Sequence, residues 1–208
     1  MNILLSDYNF NNSYCFKYLK EYLKPKMRVV IIPFAHEIKY YTQERYFNEL
    51  YNYENGKDFK ILSRCFHDYG IEKEDIYVLN PHRDLVKYMK YKIEKADVIF
   101  FCGGNPIEMM SYIKMTGLYN VLKDFNGIVM GASAGAMVQL DKFMTYPLPW
   151  EYYHQGFCEG MGYCGGFDVI VHWTNHMWQQ KAKEWSEMQR GKDFLYIELK
   201  DGECMIVE

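Results

Sequence analysis

A continuous apolar run meets two glycines and a proline in the stretch Val98-Ile99-Phe100-Phe101-Cys102-Gly103-Gly104-Asn105-Pro106. The run lacks the alternation of apolar and polar residues that a half-exposed strand shows, and so does Val29-Val30-Ile31-Ile32. Strands of this kind are covered on both faces, as in parallel sheets that are flanked by helices. We therefore predict an α/β fold, a three-layer α/β/α sandwich with a mostly parallel sheet.

Strand-like and helix-like segments alternate along the rest of the chain. Strands are predicted near residues 2–5, 28–32, 76–79, 97–101, 127–131, 167–171, 194–198 and 203–207. Helices are predicted near residues 13–23, 39–51, 57–69, 83–94, 106–123, 134–140 and 176–190. The glycine-rich segment from Pro147 to Gly166 is interpreted as a long loop, and no repeat or linker divides the 208 residues. We expect a single α/β domain over residues 1–208.

Charge and composition narrow the class of protein. With 24 basic and 27 acidic side chains the net charge is -3, which gives no basic surface for nucleic acid. The six cysteines form no Cys-x-x-Cys pair, and no apolar signal core is present, so a cytoplasmic location is expected. No segment approaches the ~20 apolar residues of a membrane span. The abundant aromatic residues suggest a homodimer.

A serine lies among small residues directly after the apolar run 127–130, in Gly131-Ala132-Ser133-Ala134-Gly135. Small neighbours let a serine occupy the sharp strand-to-helix turn called a nucleophile elbow. The helix that follows begins with free N–H groups, which can bind an oxyanion. An ordinary tight turn can have the same residues, so the pentapeptide needs support from the rest of the chain. It makes Ser133 the candidate nucleophile.

A serine nucleophile needs a histidine within hydrogen-bonding distance, itself oriented by an acceptor. His172 follows the predicted strand 167–171, and we expect it at the same sheet edge as Ser133. It is the preferred base, although a buried structural histidine would fit the same pattern. His154 lies in the predicted loop, and His176 begins a helix. The remaining histidines are interpreted as crevice-lining or surface residues: His36, His67 and His82.

Two adjacent glycines, Gly103 and Gly104, leave backbone N–H groups uncovered after the strand that ends at Phe101. One of these groups and the N–H of Ala134 could form a two-donor oxyanion hole. Asn105 directly follows Gly104 in the sequence, and we predict that it also belongs to the oxyanion or substrate-binding residues. A glycine turn that binds no ligand is the alternative.

The acidic member of the site has several candidates. Asp201 lies in Lys200-Asp201-Gly202-Glu203, between two predicted strands. An Asp-Gly pair is also common in hairpin turns. The competing carboxylates are Glu203, Asp168 and Asp141.

These motifs occur in one order: Gly-Gly-Asn after a strand, the Gly-Ala-Ser-Ala-Gly elbow, and then a strand that ends in His172-Trp173-Thr174-Asn175. The combination resembles the aspartyl dipeptidase (peptidase E) family of serine peptidases, whose relatives include cyanophycinases. The resemblance spans nearly the whole chain. It implies a flavodoxin-like fold akin to class I glutamine amidotransferase domains, with a serine where those enzymes have a cysteine.

The resemblance also implies roles for individual residues. Ser133 would be the nucleophile, His172 the base and Asp201 the acid, where the family usually has a glutamate. The oxyanion donors would be Gly103, Gly104 and Ala134. The resemblance implies no metal and no cofactor.

Family members that prefer an amino-terminal aspartate have an arginine after the histidine. The segment from His176 to Lys181 has none, and Arg190 is the first arginine beyond it. Lys181 can supply a charge but not a bidentate contact. Aspartyl specificity is therefore not expected to carry over.

Three hypotheses follow. The first is a cytoplasmic serine peptidase, a hydrolase acting on small peptides through an acyl-enzyme on Ser133, with residues 1–208 as one hydrolytic domain. The second is a non-catalytic ligand-binding or regulatory protein on the same scaffold, which a large distance between Ser133 and His172 would favour. The third is an α/β-hydrolase esterase. That fold expects the order Ser, Asp, His, and here no histidine follows His176.

Overall fold

A six-stranded sheet lies at the centre of the computed structural model, which describes residues 1–145, 155–174 and 176–208. In spatial order its strands are β10 (Cys204–Val207), β1 (Asn2–Leu5), β5 (Ile128–Ala132), β4 (Val98–Phe101), β2 (Val29–Ile32) and β3 (Ile76–Val78). β10 runs antiparallel to β1, and the other neighbouring pairs are parallel. The predicted mostly parallel sheet is confirmed.

Both faces of the sheet are buried, as the apolar runs predict. In β4, Val98 and Phe100 belong to one hydrophobic cluster while Ile99 and Phe101 belong to another, and all four are fully buried. Successive side chains of a strand point to opposite faces, so a strand between two apolar layers has no polar positions.

Helices cover the two faces and complete the three layers. One face carries α1 (Ser13–Leu19), α3 (Glu44–Tyr51) and α4 (Lys57–His67). The other carries α5 (Val86–Lys95), α6 (Pro106–Met115), α7 (Tyr119–Lys123) and α8 (Ala134–Met137). The short helix α2 (Ile38–Thr42) precedes α3, and a 3-10 turn at Lys73–Asp75 precedes β3. The predicted α/β/α sandwich is confirmed.

Several predicted helices are shorter or divided. The predicted helix 39–51 breaks at Gln43, whose backbone is extended, with φ -130°. The predicted helix 106–123 breaks at Gly117, which has φ +70°, a conformation that glycine adopts without steric cost. The apolar pattern continues across both breaks, so helical periodicity alone does not reveal where the helices divide.

Two small sheets lie outside the central one. β6 (Lys142–Thr145) pairs antiparallel with β7 (Gly156–Glu159), so part of the predicted loop from 147 to 166 is a strand. Residues 147–154 of that loop lie outside the described residues. β8 (Phe167–Ile170) pairs in parallel with β9 (Leu195–Glu198), and the helix α9 (Met177–Arg190) lies between the two strands in the sequence. None of the described helices combines the length and apolar composition that crossing a lipid bilayer requires.

Candidate active site

Ser133 lies at a sharp turn between β5 and α8. Its backbone has φ 53° and ψ -116°, which is strained for a residue other than glycine. The Ser133 N–H donates to the carbonyl oxygen of Leu5 at 2.9 Å, which fixes the turn to the neighbouring strand β1. A side chain at Gly131 would overlap the backbone of Gly135, and one at Gly135 would overlap the carbonyl group of Phe101. The small residues of the pentapeptide are therefore required by backbone packing.

His172 lies two residues beyond β8 and reaches the serine. The distance from His172 Nε2 to Ser133 Oγ is 2.9 Å. The expectation that both residues share one sheet edge is wrong, because β8 and β9 form a separate sheet. Apolar composition predicts a strand but does not predict its neighbours, so the sequence could not reveal this separation.

Asp201 lies on the other side of the imidazole. Its Oδ1 is 2.6 Å from His172 Nδ1. A carboxylate only accepts hydrogen bonds, so this contact requires a proton on Nδ1 and leaves Nε2 with a lone pair directed at Ser133. Both partners are open to solvent, with 45% of the His172 side chain and 59% of the Asp201 side chain exposed.

The competing carboxylates have other contacts. Glu203 accepts a hydrogen bond from the Lys200 N–H at 2.9 Å. Asp141 accepts from the N–H of the next residue. Asp168 is buried in β8 with Arg190 3.8 Å away, and burial raises the pKa of its carboxyl group to about 6. Of the four candidates, Asp201 is the one in contact with His172.

Two buried side chains hold the backbone of His172, which has φ 54°. Ser6 Oγ accepts a hydrogen bond from the His172 N–H at 2.8 Å. Gln179 Nε2 donates to the His172 carbonyl oxygen, also at 2.8 Å. Sequence reasoning missed both residues. For Ser6 a weak signal exists, because it follows β1 directly and so lies at the carboxyl end of a central strand.

The oxyanion candidates lie beside the serine. Gly104 has φ +134°, and a side chain there would overlap the carbonyl oxygen of Ala35. The N–H of Gly103 is already used, since it donates to the Tyr8 hydroxyl at 2.9 Å. Ala134 is the first residue of α8, so its N–H has no acceptor within the helix. The N–H groups of Gly104 and Ala134 therefore stay the predicted oxyanion donors.

Asn105 acts as the cap of α6. Its side-chain oxygen accepts hydrogen bonds from the N–H groups of Ile107 and Glu108, at 2.9 and 3.0 Å. Its own N–H donates to Ala35 at 2.7 Å. With Pro106 at the first helical position, this is a favourable helix start. A contact between Asn105 and a substrate stays a prediction.

A buried polar cluster lies behind the glycine loop. Tyr8 and Cys102 are within hydrogen-bonding contact, and burial raises the pKa of both groups, that of Cys102 to about 12. Tyr51 contacts the same thiol, and its hydroxyl is 2.7 Å from His36 Nε2. Burial lowers the pKa of His36 to about 4, so its imidazole is neutral at pH 7. Tyr8 and Tyr51 were not predicted from the sequence.

The other histidines lie away from the nucleophile's partners. His67 pairs with Glu72, and His82 Nε2 is 2.9 Å from the carbonyl oxygen of Tyr40. His176 caps α9, and His154 lies outside the described residues.

An open groove lies near the ends of β8 and β9. It is lined by Trp173, Thr174, Glu198 and Lys200 and has a volume of about 580 Å³. Trp173 and Lys200 are sequence neighbours of His172 and Asp201, but neither His172, Asp201 nor Ser133 lines the groove. In the described part of the chain, no three His, Cys, Asp or Glu side chains are grouped so that they could hold a metal ion.

Comparisons with known proteins identify the family of the chain and support its fold. The chain matches the sequence profile of peptidase family S51 over residues 3–208. No match is found among curated proteins. Among solved structures, a candidate peptidase E from Listeria monocytogenes EGD-e is similar, with a TM-score of 0.68 and 14% identity, covering 99% of this chain and 93% of that one.

A second similar structure is a peptidase from an acI-B1 Actinobacterium. Its TM-score is 0.59 at 16% identity, and the match covers 96% of this chain and 80% of that one. At such identities the two structures support the fold, while the profile match identifies the family. The resemblance to peptidase E that the motifs indicate is confirmed. The chain belongs to peptidase family S51 and is a serine peptidase.

Proposed function

We propose that this serine peptidase hydrolyses small peptides, of dipeptide-like size, through an acyl-enzyme on Ser133. The observation that carries the proposal is the 2.9 Å distance between Ser133 Oγ and His172 Nε2. A hydroxyl group is a weak nucleophile until a base accepts its proton, and a base at this distance can do so. The large separation that would favour a binding protein without activity is not found.

In the first half of the reaction, Ser133 Oγ attacks the carbonyl carbon of the scissile bond while His172 Nε2 takes the hydroxyl proton. The carbonyl oxygen becomes an oxyanion, which the N–H groups of Gly104 and Ala134 stabilise. In general each such donor contributes about 3 kcal/mol to transition-state stabilisation. His172 then gives the proton to the leaving nitrogen. The C–N bond breaks, and an ester remains on Ser133.

In the second half, a water molecule attacks the ester carbonyl while His172 takes a proton from that water. Collapse of the intermediate breaks the bond to Ser133 Oγ, which recovers its proton from His172. Throughout, Asp201 holds the imidazole in the tautomer with a proton on Nδ1 and stabilises the positive charge that forms on the ring.

The contacts of Arg190 argue against assigning aspartyl specificity. Arg190 lies 3.8 Å from Asp168 and 3.5 Å from the carbonyl oxygen of Lys142. Arg190 is therefore already paired with a carboxylate of the protein itself. The peptide assay determines the preferred substrate side chain.

The test compares wild type, Ser133→Ala and Ser63→Ala on a panel of dipeptides and tripeptides. Ser63 is a partly exposed serine of α4 whose hydroxyl donates to the Lys60 carbonyl oxygen, so it serves as a matched control. Loss of a serine nucleophile costs up to about 10⁶-fold in kcat. We expect Ser133→Ala to abolish measurable turnover and Ser63→Ala to retain it.

A fluorophosphonate probe gives an independent measurement. Mass spectrometry of the labelled wild type should find the phosphonate on Ser133, and Ser133→Ala should remain unlabelled. Turnover that survives in Ser133→Ala, or a label on another serine, would contradict the assignment of the nucleophile.

A further inference from the structure

One buried hydroxyl group contacts both the candidate acid and the backbone of the candidate base. Ser6 is fully buried directly after β1. Its Oγ donates to Asp201 Oδ1 at 2.9 Å and accepts from the His172 N–H at 2.8 Å. The same Asp201 oxygen is the one that contacts His172 Nδ1 at 2.6 Å. Hydrogen bonds and covalent bonds thus close a ring through Ser6, Asp201 and His172.

We propose that Ser6 is a positioning residue that fixes the acid and the base of the active site relative to the nucleophile. The inference rests on the proposed roles of Ser133, His172 and Asp201. A serine hydroxyl has one proton and two lone pairs. Here the proton is directed at Asp201, while a lone pair receives the His172 N–H. Both partners are thereby held by one atom that is excluded from solvent.

The sheet register explains why this position is suited to the task. β1 and β5 are neighbours, and Leu5 pairs with Ala132. Ser6 and Ser133 therefore follow paired residues at the same edge of the central sheet. The Ser133 N–H also donates to the carbonyl oxygen of Leu5. The Ser6 hydroxyl thus connects the end of β1, beside the candidate nucleophile, with both His172 and Asp201.

Exposure explains why such a link is needed. More than half of the Asp201 side chain is exposed, so water competes for its carboxylate oxygens. His172 has a backbone conformation that non-glycine residues rarely adopt, and its N–H needs a partner to keep that conformation. A buried hydroxyl group satisfies both requirements without adding charge to the site.

The test measures kcat and KM separately for wild type, Ser6→Ala, Ser6→Cys and Ser186→Ala. Ser186 is another fully buried serine, hydrogen-bonded to Tyr196 in the contact between α9 and β9, so it controls for the loss of any buried hydroxyl. Ser6→Cys keeps a side chain of similar size but offers only a weak donor, which separates lost packing from lost hydrogen bonding.

For both Ser6 variants we expect kcat to fall by about 10–100-fold with KM changed less than about threefold, because only the alignment of the catalytic groups is lost. Ser186→Ala should keep kcat within about twofold of wild type. A fall in kcat for Ser186→Ala equal to that for Ser6→Ala would overturn the proposal.

A double-mutant cycle with Asp201→Asn tests the route of the effect. If Ser6 acts through Asp201, then Ser6→Ala should lower kcat far less in the Asp201→Asn background than in wild type. Equal factors in both backgrounds would mean that Ser6 acts elsewhere, and the proposal would be wrong.

An NMR measurement keeps this inference separate from the proposed function. The short hydrogen bond between His172 Nδ1 and Asp201 should give a downfield proton resonance in wild type. The resonance should shift or broaden in Ser6→Cys and stay in place in Ser186→Ala. An unchanged resonance in Ser6→Cys would overturn the positioning role. Failure of Ser133 to react with the phosphonate would instead overturn the proposed function.

Discussion

Ser133 and His172 both have positive φ angles, 53° and 54°, but different surroundings hold them there. At Ser133 the turn is enclosed by backbone, since neither Gly131 nor Gly135 has space for a Cβ atom. At His172 the backbone is held by hydrogen bonds with the side chains of Ser6 and Gln179, while nearly half of its own side chain is exposed. The candidate nucleophile is positioned by packing, and the candidate base is positioned by a few polar contacts.

The difference has consequences for mutation. Interiors are close-packed, so one added carbon atom at Gly131 or Gly135 forces the backbone of α8 away from the central strands β5 or β4. His172 and Asp201 form the exposed side of the site, and either side chain can be shortened there without leaving a cavity. We therefore expect substitutions near Ser133 to affect folding, and substitutions around His172 and Asp201 to affect the reaction.

After loss of Ser133 itself, the largest expected effect is at Asp201, on the exposed side, and it concerns activity alone. Asp201→Asn should lower kcat by about 10³-fold, or about 4 kcal/mol in the barrier, because a neutral amide cannot stabilise the imidazolium ion. The effect should stay below the ~10⁴-fold known for a buried triad aspartate, since solvent weakens the wild-type contact. Steady-state kinetics and thermal unfolding check this together, and Tm should change little.

Glu203→Gln is the matched control for this prediction. Glu203 is in the same turn as Asp201, and its side chain accepts a hydrogen bond from the Lys200 N–H. We expect kcat close to that of wild type. A larger fall in kcat for Glu203→Gln than for Asp201→Asn would show that the acid has been misassigned.

The next effect concerns the packed side and should appear in folding. Gly135→Ala places a Cβ atom onto the backbone carbonyl group of Phe101, the last residue of the neighbouring strand β4. We expect a loss of about 3 kcal/mol in the free energy of unfolding, measured by denaturant titration. Gly156→Ala is the control, since among the described residues its added Cβ would have only the Thr145 hydroxyl within 4 Å, at 3.9 Å. Equal stability of the two variants would contradict the comparison.

The packed side of the site is also the part that could be predicted from the sequence. Buried parallel strands have recognisable apolar runs, and the elbow needs small residues at fixed positions. The positions of Ser133, Gly104 and Ala134 follow from those local rules. His172 was identified because it follows a strand-like run, although the sheet to which that strand belongs was not predicted correctly.

The exposed side depends on contacts between distant parts of the chain. Asp201 and Glu203 are in one turn, and only the direction of the backbone decides which of them contacts His172. Ser6 is 195 positions from Asp201, and a lone serine after a strand has no local pattern that reveals its partner. The pairing of β6 with β7 was missed because Lys142–Thr145 and Gly156–Glu159 mix apolar residues with a charged residue or glycine and so lack a strand-like apolar run.

A smaller effect on kcat is expected from the buried Tyr8, which contacts the glycine loop that carries a predicted oxyanion donor. Tyr8→Phe removes the hydroxyl that accepts the Gly103 N–H and leaves that buried group without a partner. We expect kcat to fall by about tenfold, less than for direct loss of an oxyanion donor, together with a loss of about 1 kcal/mol in stability. Tyr18→Phe, at an exposed tyrosine of α1, should change neither quantity. Unchanged kcat in Tyr8→Phe would show that the buried cluster does not support the glycine loop in the reaction.

The smallest expected effect is the response of that buried cluster to acid. Burial lowers the pKa of His36 from 6.5 to about 4, so the unfolded chain binds a proton more tightly than the folded protein does between these values. Stability that is present above pH 6.5 is therefore lost as the pH falls towards 4, on the order of 1 kcal/mol by pH 5. Asp168, with a pKa raised to about 6, changes stability in the opposite direction over part of this range. The measurement is accordingly the difference between unfolding free energies of wild type and His36→Asn across pH 5–7. This difference should shrink towards acid pH, and one that is constant with pH would mean that His36 is not held neutral.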